Sequence, residues 1–132
     1  MNIAVVVYGS PTGSPASMSA YRYVCAALEL GHRVSRVFFY GEGVHNATRL
    51  AAPPQDETSL PECWQRLARS HQLELIVCIA AALRRGVLND QEAARHGRDA
   101  SNLAPGFELS GLGQLADAAL NSDRLITFGG NG

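Results

Sequence analysis

A chain of 132 residues, 46% of them hydrophobic, is long enough for one globular domain with one core and too short for two. Its 11 basic and 12 acidic residues leave a net charge of −1, which excludes the basic footprint of a nucleic-acid binder. No apolar run approaches the roughly 20 residues of a membrane span and the start MNIAVVVYGS carries no basic leader, so the expected location is the cytoplasm.

The segment 2–8, NIAVVVY, is a continuous β-branched run ended by Gly9, the pattern of a strand buried on both faces. Residues 8–17, YGSPTGSPAS, form a Gly, Ser and Pro-rich connector. From Ala16 to Leu30 the apolar positions Tyr21, Val24, Cys25 and Leu28 make a helical stripe, with Gly31 as its stop. RVSRVFFY, 33–40, is the second strand, followed by a long loop over 41–59. Ser59 with Glu62 three residues on reads as a capping box, with Pro61 in the first turn and Leu60, Cys63, Trp64 and Leu67 as the buried stripe. LELIVCI, 73–79, is the third strand, and NDQEAARHG, 89–97, a short helix capped by Asn89 and stopped by Gly97. FEL, 107–109, gives a brief fourth strand, Ser110 caps a helix over about 112–121, and RLITF, 124–128, is the last strand. Strands that alternate with helices predict a parallel sheet with helices on both faces.

In such sheets reactive groups gather at the carboxyl ends of the strands. Four segments meet that edge: the loop after Tyr8, the loop after Tyr40, the strand end at Cys78, and the turn at Ser110. The hydroxyls of Ser10, Thr12, Ser14 and Ser17 could surround a phosphate in the manner of a flavodoxin. However, Pro11 and Pro15 remove two N–H donors, and CIAAALRRG after the third strand offers no aromatic wall for a flavin. CIAAALR is also Cys-x5-Arg, the spacing of cysteine phosphatases, but it lacks the glycines that let successive N–H groups turn inward.

The cysteines separate by position. Three of them without CxxC spacing argue against a disulfide framework or a structural zinc. Cys25 and Cys63 lie on apolar helical stripes and read as small core residues. Cys78 stands at the carboxyl end of a buried strand, with the Ala-rich start of a helix directly after it and Arg84 and Arg85 beyond. A helix N-terminus and positive charge both favour the thiolate, the nucleophilic form. His45, in GEGVHNATRL, lies on the same side. His32, His71 and His96 follow helices and suit capping or surface roles. Cys78 is the catalytic candidate, and Arg84, Arg85, His45 and Ser110 are the supporting ones.

Three blocks, RVFFYGEGVHNATRL, CIAAALRRGVLNDQEA and FELSGLGQLADAALNSDRLITF, resemble the DsrE/TusD family of sulfur-relay proteins, and the resemblance runs from Ile3 to about Phe128. It implies a three-layer α/β/α sandwich with a mostly parallel five-stranded sheet, as one domain over 1–128 with a flexible tail at 129–132. It implies a sulfurtransferase that carries sulfur as a persulfide on Cys78, without metal or flavin. In one branch such a subunit joins TusB-like and TusC-like paralogues in a heterohexamer. There it takes sulfur from a TusA-like donor and passes it to a TusE-like acceptor, toward 2-thiouridine at the tRNA wobble position. In the other branch a similar complex serves sulfur oxidation. A homo-oligomer is the alternative without those partners, and a non-catalytic scaffold the alternative without turnover. Neither nucleic acid nor membrane is a direct partner in this reading.

Overall fold

The computed structural model describes residues 1–129, which build one sheet of five parallel strands in the order β4-β3-β2-β1-β5. The strands are β1 (Asn2–Val7), β2 (Arg33–Phe39), β3 (Glu74–Cys78), β4 (Phe107–Ser110) and β5 (Arg124–Phe128). The helices are α1 (Ala16–Glu29), α2 (Leu60–His71), α3 (Ile79–Arg84), α4 (Asp90–Arg95) and α5 (Gly113–Asn121). Residues 130–132, which carry most of the expected tail, lie outside the described residues. Gly129, assigned to that tail by the sequence, turns at φ +86°, and a Cβ on it would meet the amide nitrogen of Gly9 at 3.2 Å. It lies against the opening loop.

The connections explain the layers. Steps from β1 through β4 all cross the sheet one way, so right-handed crossovers place their helices on one face. That face holds the main core, where Val24, Trp64, Leu67 and Ala82 pack on Val5, Val7, Val37, Phe39, Leu75 and Val77. The step from β4 to β5 goes back past β1 and carries α5 to the other face, where Ala118 and Leu115 cover Ala4, Val6, Phe38 and Ile76. Ile3 to Val7 are all buried, as the unbroken apolar run requires. The last strand closes against the first: Ile3 pairs with Arg124 and Val7 with Phe128, and Asn2 and Asp123 exchange backbone and carboxylate hydrogen bonds.

The expected three-layer parallel sheet is therefore observed, with four local differences. The buried line of α1 is Ser17, Ala20, Val24 and Ala27, while Tyr21, Cys25 and Leu28 are only partly buried. Small residues bring α1 close to the sheet, and the bulky Tyr21 turns to the seam with α2, edge-on to Trp64 at 5.3 Å. Ser59 precedes α2 but its hydroxyl makes no cap bond, and Pro61 supplies no N–H where a cap oxygen would reach. Ser110 is not a helix cap either: it ends β4 in register with Cys78, and Leu112 occupies the cap position of α5. The long 41–59 loop opens with a 3₁₀ turn, Gly41–Ala47. Asn89 does cap α4, accepting from the Glu92 amide at 2.8 Å.

Candidate functional site

Cys78 keeps an extended backbone (φ −62°, ψ 118°) as the last residue of β3 and is at once the cap position of α3. The chain bends there because the β-rich ELIVC run gives way to alanines, which prefer the helix. The side chain is half-buried. It touches the main core on one side and on the other lines a crevice with Phe38, Tyr40, Ile76, Ser110, Leu112 and Leu115. The crevice is narrow, with room of about 10 Å³ for the centre of one water-sized atom. Two strand ends thus bring Cys78 and Ser110 side by side, and the start of α5 roofs them.

The other expected site residues fall elsewhere. Arg85 donates from Nε to Glu42 Oε1 at 2.9 Å and from Nη1 to the Ala81 carbonyl at 3.1 Å. His45 Nε2 is 3.3 Å from the second oxygen of the same carboxylate. Glu42 therefore collects both side chains, and its carboxyl is held below the usual range, by the Arg85 hydrogen bond above all. Arg84 is exposed and makes no hydrogen bond or ion pair among the described residues. Neither guanidinium is hydrogen-bonded to the Cys78 thiol among them.

The opening loop is occupied by its own bonds. Ser10 Oγ accepts from the Gly13 amide at 2.7 Å and Ser14 Oγ from the Ala16 amide at 3.1 Å. Ser17 donates to the Gly9 carbonyl. One hydroxyl proton and two backbone amides that a phosphate would need are thereby engaged within the connector. Holding the loop from the other side is Asn46, fully buried, whose amide reaches Gly9 O, Ser17 Oγ at 3.0 Å and Gly43 O at 2.9 Å, and whose oxygen accepts from Trp64 Nε1 at 3.2 Å. Sequence reasoning missed both Glu42 and Asn46. The available signal was the period of three in GEGVHNA: Gly43 and Asn46 share one side of a 3₁₀ turn, next to the buried Val44 and Ala47.

Cys25 of α1 and Cys63 of α2 both lie near Tyr21 at the seam of the two helices. Cys63 is buried and accepts from Arg66 Nη2 at 3.5 Å, whereas Cys25 is only half-buried. Between them the Tyr21 hydroxyl is pushed up to about 12, by burial first and then by its hydrogen bond to Cys25. A wider, polar groove lies at the opposite, amino edge of the sheet, lined by Arg33, Arg36, His71, Glu74, Asp117 and Asn121. Arg36 there is held by Glu74 at 2.7 Å and Asp117 at 2.9 Å, in an ion-paired cluster whose lining includes no cysteine.

A sequence profile described as the DsrE/DsrF-like family matches residues 1–128. The chain belongs to the DsrE/DsrF-like family. It is 56% identical over 128 residues to the sulfurtransferase TusD of Serratia proteamaculans, covering 97% of this chain and 99% of that one. To a protein designated DsrE in Allochromatium vinosum it is 49% identical over 129 residues, covering 98% and 99%. Among solved structures, the YchN protein from E. coli superimposes with a TM-score of 0.77 at 21% identity, over 97% of this chain and 99% of that one, which bears out the fold. The family resemblance and the sulfurtransferase expectation are borne out by these relatives. Among the described residues, no helix is long and apolar enough to cross a membrane.

Proposed function

We propose that this chain is the sulfur-carrying subunit of a persulfide relay, with Cys78 as the carrier. The Cys78 thiolate attacks the outer sulfur of a donor persulfide, forming one S–S bond as the donor's S–S bond breaks and its thiolate leaves. The acceptor's thiolate then attacks the outer sulfur on Cys78, and the Cys78 thiolate leaves in turn. Electrons balance within each exchange, so neither metal nor flavin is required. The observation that carries the reading is the setting of Cys78, half-buried at the carboxyl edge, at the positive end of a helix, in a crevice with room for about one added atom.

The surroundings support protein partners. Among the described residues only α5 covers the second face of the sheet, and it exposes Leu120 at 85%, with Leu125 of β5 exposed at 42%. That apolar surface fits assembly with paralogous TusB-like and TusC-like subunits, while the rim at Cys78 stays available to a TusA-like donor and a TusE-like acceptor. Sulfur then moves in the cytoplasm toward 2-thiouridine in tRNA, without contact between this chain and the tRNA. The DsrE-designated relative favours a second reading, in which the same carrier step serves sulfur oxidation.

The test is intact mass after incubation with a persulfidated donor protein. Wild type is expected to gain one sulfur, mapped to Cys78. Cys25→Ser and Cys63→Ser load normally, and Cys78→Ser does not load. Loading that survives Cys78→Ser refutes the carrier. The purified protein is expected to show no flavin absorption.

A further inference from the structure

Two segments flank Cys78: α3, which starts at it, and the 3₁₀ turn, which follows the Tyr40 wall of its crevice. One carboxylate joins them. Glu42 of the turn binds Arg85 at the end of α3 at 2.9 Å and contacts His45 of its own turn at 3.3 Å. Arg85 passes the restraint on, because its Nη1 holds the carbonyl of Ala81, three residues beyond Cys78. That carbonyl is not reached by the Arg85 backbone amide, which bonds Ala82 at 3.1 Å instead. A helix of six residues has little stability alone, so its place is set by what packs and bonds to it, and the 3₁₀ turn is its main neighbour. Glu42 is 54% exposed, and an ion pair in such a setting adds little to global stability. Its consequence is local and geometric.

We propose that Glu42 is a positioning residue for Cys78: by holding Arg85 and His45 together, its carboxylate staples the helix that begins at the cysteine to the turn that directly follows Tyr40 of its crevice wall. This rests on Cys78 being the sulfur carrier. It also gives a role to two of the side chains expected to support the thiol: Arg85 and His45 act through Glu42, as parts of a brace.

The experiment compares wild type, Glu42→Ala, Glu42→Gln and Arg85→Ala with two readouts. Amide hydrogen exchange over residues 79–84 reports on α3 whether or not Cys78 carries sulfur. Loading from inorganic polysulfide, read as one added sulfur on Cys78, reports on the carrier. Glu42→Ala and Arg85→Ala are expected to speed exchange in α3 by about tenfold and to slow loading by about tenfold, because small misplacements of a reacting group cost that much. Glu42→Gln, whose amide oxygen still accepts from Arg85, is expected within about threefold of wild type in both. Unchanged exchange in Glu42→Ala overturns the staple, as does Glu42→Gln behaving like Glu42→Ala. Faster exchange with normal loading overturns the positioning of Cys78. If Glu42→Ala does not fold, Arg85→Ala carries the same expectations. A wild-type protein that never loads, while Glu42→Ala still loosens α3, overturns the carrier and leaves the staple standing.

Discussion

Replacing Asn46 by alanine deletes a carboxamide that has no exposure and joins four segments. The loss is uneven. Gly9 O and Ser17 Oγ keep each other as partners, so their bonds survive. Trp64 Nε1 belongs to a side chain with no exposure, and its hydrogen bond goes to Asn46. An orphaned buried donor costs about 1–3 kcal/mol, and the small cavity left by the carboxamide adds about 1 kcal/mol. The expected loss is therefore about 3 kcal/mol, a large part of the roughly 5–15 kcal/mol that holds a domain this size. Urea unfolding measures it as a lower midpoint at unchanged slope. Asn46→Ala combined with Trp64→Phe should cost clearly less than the two changes added, because the second removes the donor that the first orphaned. A loss below about 1 kcal/mol, or strict additivity in the double variant, refutes the reasoning.

Two further outcomes follow from the same core. Gly43→Ala places a Cβ at 2.1 Å from the carbonyl oxygen of Val7, a backbone atom that cannot step aside, so it should cost about 3 kcal/mol or more in thermal or urea unfolding. Gly113→Ala, with nothing within 4 Å, serves as its control and should be neutral or stabilise by up to about 1 kcal/mol. Tyr21 is held protonated in the fold, so its contribution to stability is complete below the ordinary tyrosine value of about 10 and is lost as pH rises toward about 12. Tyr21→Phe should flatten that alkaline decline, and an identical decline in the variant would contradict the assignment.

Strand and helix order was legible because periodicity is local: β1, β5 and the α2 stripe stand where the sequence placed them. Cys78 was legible for the same reason, since the change from ELIVC to IAAAL marks a strand end and a helix start in one step. What escaped depends on pairing across the chain. Ser110 looks like a cap until β3 is seen to run extended as far as Cys78 and to pair with it. Arg85 and His45 look available to the thiol until Glu42 is seen to take both. The stripe of α1 read one step round because Tyr21 and Cys25 are more apolar than Ser17 and Ala20, while closeness to the sheet selects the smaller side chains.

The strand order has a consequence for biogenesis. β1 is synthesised first, yet one of its two neighbours, β5, is synthesised last. Until Arg124–Phe128 emerge, the Val-rich opening strand offers a bare row of amides and carbonyls that a second unfinished chain can pair with. Truncation before Arg124 should thus yield inclusion bodies, although the missing stretch carries no proposed chemistry. The final strand is a guard on the first.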